Sequence, residues 1–273
     1  MSGARGFSLL ERFELKYHIP VEWADAIGQF IAPYCEEDYY SKITPGRFYW
    51  ITNLYLDSPK WTFLNWKKAG LLDRFNMRVR TYGEHPDQKG TFHFEVKRKI
   101  RNVCFKSRAT IKGENPLFVW ENPQEAWPCK NDKDRAYLKD FLYKTHLHNA
   151  HPRLLTQYKR RAWFGLNEDY SRVTIDTCMR FREESGFDYT INPTYMESTG
   201  LPRFFAPGCD AVLELKCPTT QVPFWMIDLI KKFNLKQSGF SKFGNAAVEW
   251  QKIYAHPRSF KDPVYPQLAG NFG

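Results

Sequence analysis

The residues best suited to chemistry lie on short stretches of strict alternation. In Thr91–Lys99 the residues Phe92, Phe94 and Val96 alternate with His93, Glu95, Lys97 and Lys99. Successive side chains of a strand point to opposite faces, so one face here is apolar and the other ionic. The pattern recurs at Arg12, Glu14 and Lys16 against Phe13, Leu15 and Tyr17, and at Arg78 and Arg80 against Met77 and Val79. It recurs again at Lys106 and Arg108 against Phe105, at Arg172, Thr174 and Asp176 against Val173 and Ile175, and at Val212, Glu214 and Lys216 against Leu213 and Leu215. One such strand alone reads as a half-buried strand whose polar face meets water. Six together read differently, because their ionic faces are mostly Lys and Arg and their apolar faces call for a cover of helices. If the sheet closes with helices outside, the ionic faces converge on a lumen. A lumen of guanidinium and ammonium groups repels itself unless carboxylates or a polyanion fill it. The chemistry that suits this arrangement is the holding of a long, highly charged anion.

The elements that must position these residues are mostly strands, separated by turn signals at Tyr82-Gly83-Glu84, Asp87-Gln88-Lys89-Gly90 and Gly165-Leu166-Asn167. Helical periodicity is expected over Val21–Tyr34, over Asp132–His146, and from Pro223 to about Phe233. The fold class is therefore α+β, built on a large antiparallel sheet or barrel. No repeat and no long linker divides the chain, so a single domain over residues 1–256 is expected, followed by a Pro- and Gly-containing tail at 257–273. Apolar runs such as Val222–Ile230 fall short of the ~20 residues of a membrane helix, and Met1–Phe13 has no signal-peptide core. A soluble, cytoplasmic chain is the expectation.

Composition and motif content exclude several function classes. A net charge of +10, from 40 Lys and Arg against 30 Asp and Glu, attracts anions without choosing among them. Six cysteines without a C-x-x-C pair fit neither a zinc site nor a disulfide framework, and His146, His148 and His151 lack a Cys or acidic partner to complete a tetrahedral set. There is no G-x-S-x-G turn, P-loop or dinucleotide-binding glycine fingerprint, so phosphate would have to be held by side chains. Nucleic acid is not expected as a partner, because the aromatics alternate onto the face opposite the charges and stacking platforms need them on the same face.

Several segments resemble one known family. Glu11-Arg12-Phe13-Glu14-Leu15-Lys16-Tyr17, Asn53-Leu54-Tyr55-Leu56-Asp57, Arg78-Val79-Arg80-Thr81-Tyr82-Gly83 and Phe94-Glu95-Val96-Lys97 are similar to the first half of a VTC domain. That domain is the polyphosphate polymerase of the vacuolar transporter chaperone complex, a branch of the CYTH-like triphosphate tunnel metalloenzymes. Lys106-Ser107-Arg108, Tyr158-Lys159-Arg160-Arg161-Ala162, Arg172-Val173-Thr174-Ile175-Asp176, Ala211-Val212-Leu213-Glu214-Leu215-Lys216 and Phe240-Ser241-Lys242-Phe243 follow in the family's order. The match runs from about Glu11 to Ala247.

The resemblance implies an antiparallel eight-stranded β-barrel forming a tunnel, with helices packed around the outside. It implies catalytic roles for Lys16, Arg78, Arg80, Lys97, Arg160, Arg172 and Glu214, and phosphate contacts from Lys106, Arg108, Tyr158, Lys216 and Lys242. Glu214 would hold a divalent cation, Mn²⁺ or Mg²⁺, with Glu14 and Glu95 as additional candidate ligands. The expected substrates are ATP, or another triphosphate, and inorganic polyphosphate. The expected reaction transfers the terminal phosphoryl group of ATP to the growing chain. Arg12 stands where hydrolytic relatives carry the first Glu of Glu-x-Glu-x-Lys, which favours the polymerase branch. An inorganic triphosphatase of the same fold and a catalytically silent polyphosphate-binding accessory module are the alternatives, and a protein partner is left open.

Overall fold

The alternation that makes the ionic faces also dictates the sheet. A computed structural model describes residues 12–101, 103–168, 170–199, 208–219 and 221–254. The strands are β1 (Arg12–Ile19), β2 (Cys35–Glu37), β3 (Tyr49–Asp57), β4 (Asp73–Tyr82), β5 (Thr91–Ile100), β6 (Val103–Lys112), β7 (His151–Gly165), β8 (Arg172–Glu183), β9 (Glu197–Ser198) and β10 (Ala211–Pro218). Eight of them follow the order β1-β10-β8-β7-β3-β4-β5-β6, with β2 added beside β7 and β9 beside β8. Every pairing is antiparallel. The expected tail at 257–273 lies outside the described residues.

The helices are α1 (Trp23–Ile31), α2 (Tyr39–Ile43), α3 (Thr62–Lys68), α4 (Leu117–Glu121), α5 (Asp132–Leu147), α6 (Phe224–Lys232) and α7 (Lys242–Tyr254). None of the described helices is long and apolar enough to cross a membrane. The helix expected over Val21–Tyr34 is shorter, at Trp23–Ile31; those expected at Asp132 and Pro223 fall within a residue of their places. In α5, the Asn131 side chain caps the Asp134 N–H, and Leu138, Phe141, Leu142 and Thr145 recur at helical spacing on the buried face.

Two apolar cores cover the outside of the sheet, as the alternation demands. Met77, Val79, Phe92, Phe94 and Val96 pack with Leu138 and Phe141 of α5. Val173, Ile175, Leu213 and Leu215 pack with Ile27 and Ile31 of α1 and with Met226 and Leu229 of α6. Phe105 and Phe13, near the outer ends of their strands, stay 38% and 41% exposed because the cover does not reach them.

Two features differ from a barrel with every helix outside. Among the described residues β1 and β6 are not paired. The free edge of β1 instead takes the segment before α7: Tyr17 bridges Gln237, and the Ser238 N–H donates to Lys16 O at 2.9 Å. The cylinder is drawn together by side chains, since Lys97 on β5 donates to Glu14 on β1 at 2.9 and 3.1 Å. The second difference is α7. Its Phe243, Ala246 and Ala247 pack on Tyr55, Leu154 and Phe181, and Tyr55 faces inward, its hydroxyl accepting from Arg78 Nη1 at 3.2 Å. The helix thus fills part of the cylinder. Phe240 joins Ile51, Tyr158, Met179 and Val212 in a neighbouring inward cluster.

Asp57 ends β3 and starts α3. Its buried carboxylate accepts from the N–H groups of Ser58, Phe63 and Leu64, which satisfies donors that the helix itself leaves open. Asp57→Ala is expected to lower unfolding free energy by about 2 kcal/mol, measured by urea denaturation; a loss within 0.5 kcal/mol of zero, on the order of a neutral surface change, would remove this anchoring role.

Candidate functional site

The inward face is organised around four carboxylates, each enclosed by cations. Glu95, 1% exposed, sits on the middle strand of three and takes partners from both neighbours. Arg78 Nε donates to Oε2 at 2.7 Å and Arg108 Nε to Oε1 at 2.7 Å, while Lys106 Nζ lies 2.7 Å from Oε1 and Arg80 Nη2 3.7 Å from Oε2. The registers Arg78↔Glu95↔Arg108 and Lys97↔Lys106 place these groups without strain. Burial alone would raise the carboxyl's pKa, but Arg78, Arg80, Lys106 and Arg108 outweigh it and hold the group far below the carboxylate range. Arg80 is further fixed by Asn53, whose Oδ1 accepts from Nε at 3.0 Å.

Asp176 forms the second centre. Arg160 reaches it with two parallel bonds, Nε to Oδ1 at 2.6 Å and Nη2 to Oδ2 at 2.7 Å, the fork geometry that suits a carboxylate or a phosphate. Lys242, at the start of α7, closes on Oδ2 at 2.5 Å. Against the effect of burial, Arg160 and Lys242 bring the Asp176 carboxyl down to about 2. Tyr158 lies under both cations, with Lys242 Nζ 4.7 Å and Arg160 Cζ 5.5 Å from its ring centroid.

Glu214 and Glu14 form the third and fourth, on neighbouring strands. Lys216 Nζ stands 3.5 Å from an oxygen of each, and Lys16 Nζ lies 3.8 Å from Glu214 while donating to Phe240 O at 2.9 Å. Burial raises the Glu214 pKa, yet Lys216, Lys16, Lys242 and Arg160 overcome it and keep the carboxylate ionised. Two ionised carboxylates that share one ammonium can also share a hard divalent cation. No group of three or more His, Cys, Asp or Glu side chains is placed to hold a metal among the described residues. A cation here would therefore take its remaining ligands from phosphate oxygens and water. Glu95 differs, since cations already occupy both of its oxygens.

Thirteen of the residues singled out in the sequence thus meet in one lumen: Glu14, Lys16, Arg78, Arg80, Glu95, Lys97, Lys106, Arg108, Tyr158, Arg160, Glu214, Lys216 and Lys242. Arg172 lies on the same inward face, two strand steps from Asp176 and opposite Lys216 in the β8–β10 register, within electrostatic reach of Tyr49; its guanidinium is 4.8 Å from the Phe164 ring and its Nε has no hydrogen-bond partner. Asp176 and Asn53 belong to quoted motifs, but their roles come only from the structure. Lys67 carried no signal in the sequence. Its Nζ would lie 3.2 Å from a Cβ placed on Gly244; the residue is exposed overall, but desolvation at its ammonium end, with Lys16, Lys97 and Arg74 nearby, lowers it to about 8. His148 packs edge-on against Phe63, Trp66 and Phe75 at 5.3 to 5.4 Å.

A family model described as the VTC domain matches residues 11–250. No curated protein matches the sequence. Among solved structures, a candidate adenylate cyclase from Bacillus halodurans is similar at 12% identity and a TM-score of 0.46, over 85% of this chain and 95% of that one. A candidate adenylate cyclase from Vibrio parahaemolyticus is similar at 11% identity and 0.44, over 86% and 97%. The PH1819 protein from Pyrococcus horikoshii is similar at 10% and 0.43, over 88% and 99%.

Two outcomes follow from the electrostatics. Glu95→Gln leaves four cations uncompensated and is expected to cost about 3 kcal/mol or more. Added tripolyphosphate should raise the variant's Tm by more than it raises that of wild type; an equal rise would mean the carboxylate is not what balances the cluster. Lys106 supplies the second. Its side chain keeps 41% of its surface in water, yet desolvation at the ammonium, with Arg78, Arg80 and Arg108, lowers it to about 7 against the opposing pull of Glu95. Its charge is thus lost as pH rises through neutrality, and triphosphate binding should weaken between about pH 6 and pH 8. The part of that loss absent from Lys106→Met, read by calorimetry at each pH, isolates the lysine from the ligand's own ionisation; identical pH profiles would refute the assignment.

Proposed function

The chain belongs to the VTC domain family, and from that membership we propose that it is a metal-dependent polyphosphate polymerase working on ATP. The observation that carries this reading is the charge imbalance of the lumen. Nine basic side chains, Lys16, Arg78, Arg80, Lys97, Lys106, Arg108, Arg160, Lys216 and Lys242, share the four carboxylates Glu14, Glu95, Asp176 and Glu214. A surplus of positive charge at this density is relieved by an anion bearing several charges spaced along a line, which describes a chain of phosphates.

The residue types suit phosphoryl transfer, whose catalysis is mostly positioning and neutralisation. Arg78, Arg80, Arg108 and Arg160 offer planar donor pairs that orient phosphate oxygens, and the lysines add point charges along the path. In the proposed reaction an oxygen of the polyphosphate terminus forms a bond to the γ-phosphorus of ATP. The bond from that phosphorus to the β–γ bridging oxygen breaks, and ADP leaves with the electron pair. The carboxylates keep the cations fixed and spaced before substrate arrives, so little reorganisation is needed when it does. Glu214, with Glu14 beside it, is the group that would hold Mn²⁺ or Mg²⁺, and such an ion when bound neutralises charge on phosphate oxygens.

The test is to incubate the chain with ATP and Mn²⁺ or Mg²⁺ and follow ADP and polymer together. Wild type is expected to make polyphosphate, and Glu214→Ala and Arg80→Ala to lose at least about 100-fold in rate while remaining folded. Orthophosphate without polymer, released also from tripolyphosphate in the absence of ATP, would assign the chain to triphosphate hydrolysis, and binding without turnover would make it an accessory module.

A further inference from the structure

One mouth of the lumen carries aromatic side chains that the ion pairs do not use. Tyr82 follows Arg80 by two residues on β4 and so shares its inward face. Tyr49 lies opposite Arg160 in the β3–β7 register, and His93 lies opposite Arg80 in the β4–β5 register. Tyr40 of α2 reaches over both tyrosines. Its ring is nearly parallel to that of Tyr82, with centroids 6.2 Å apart and planes 8° from parallel, and it lies 5.8 Å from Tyr49. Tyr82 meets His93 edge-on at 5.8 Å.

A single carboxylate fixes this rim. Asp38 accepts from the N–H groups of Tyr40 and Ser41, which starts α2, and its other oxygen accepts from the Tyr49 hydroxyl at 3.1 Å. The helix and the strand residue beneath it are therefore held together. The rings are nonetheless open to solvent, Tyr40 at 59% and Tyr82 at 38%. Fixed but uncovered aromatic rings beside a cationic channel are the platform on which a base stacks while its phosphates are held by Arg and Lys.

The spacing along β4 agrees. At about 3.3 Å per residue, Tyr82 stands roughly 7 Å from Arg80 and 13 Å from Arg78, comparable to the reach from a nucleobase to the nearer and farther phosphates of a nucleoside triphosphate. We propose that the Tyr40–Tyr82 rim binds the base of a nucleoside triphosphate, so that the nucleotide enters at this mouth with its phosphates directed toward Arg80 and Arg78. The proposal rests on the polymerase reading above and adds to it a place and a direction for the nucleotide. Recognition is by stacking, to which every base offers a face, so the rim separates nucleotides from inorganic triphosphate without separating adenine from guanine.

The test is calorimetric titration of ATP, GTP and inorganic tripolyphosphate into wild type, Tyr82→Ala, Tyr40→Ala and Tyr82→Phe. Both alanine variants are expected to weaken ATP and GTP about tenfold and to leave tripolyphosphate affinity unchanged, which also reports that the lumen is intact. Tyr82→Phe keeps the ring and is expected to retain wild-type affinity for both nucleotides. Wild-type nucleotide affinity in both alanine variants, or equal losses for nucleotide and tripolyphosphate, would overturn the rim while leaving the polymerase reading in place. Failure of wild type to bind any of the three ligands would overturn both.

Discussion

The structure depends on one constraint: like charges gathered inside a fold must be compensated where they stand. Glu95 meets it in the most demanding form, as a fully buried carboxylate with Arg78, Arg80, Lys106 and Arg108 around it. Taking these ions from water costs several kcal/mol each, and only close, multiply bonded geometry recovers it. The antiparallel register provides that geometry. Glu95 sits directly between Arg78 and Arg108 on its neighbours, with Arg80 and Lys106 one step away diagonally. A slip of one residue would turn the whole set to the apolar side, so the ion cluster and the outer hydrophobic core enforce the same register from opposite faces of the sheet.

The same logic explains how the cylinder is completed. Its two end regions meet through Glu14 and Lys97, a contact between side chains, and the backbone edge of β1 is occupied by Gln237 and Ser238. The segment that covers this edge runs on into α7, which brings Lys242 to Asp176 and Phe243 onto Tyr55. Edge protection, partial filling of the interior and delivery of a lumen cation are thus tasks of one continuous stretch of chain. A hydrogen-bonded seam between β1 and β6 would leave no such route inward along β1.

Much of this was legible in the sequence because a strand's period of two is a strong signal where both faces are committed. Phe92, Phe94 and Val96 against Glu95 and Lys97 could be read without a partner strand, and so could Arg78 and Arg80 against Met77 and Val79. What pairing adds could not be read. Nothing local says that Glu95 lies between Arg78 and Arg108, or that Arg160 takes Asp176 with both arms of its guanidinium. Helix α7 is not among the helices expected from the sequence, although Phe243, Ala246, Ala247 and Trp250 recur at helical spacing. Lys67 had no signal at all, since its approach to Gly244 follows from the packing of α3 beside α7.

Lys242 also shows how a local rule is broken where a tertiary partner compensates. The start of a helix carries partial positive charge and favours an acidic residue, yet α7 begins with a lysine and has no acidic residue in its first turn. The neutral cap does what it can: Ser241 Oγ accepts from the Gly244 N–H, and Asn245 Oδ1 accepts from the Ser241 N–H. In isolation this start would be weakened by the charge beside it. In the fold the lysine is held by Asp176 on a strand distant in sequence, and its charge adds to the field of the helix start in the same direction. Local consistency is given up at this position and recovered only through tertiary contact. What is gained is a region of positive potential facing the lumen, which a solitary surface lysine could not produce.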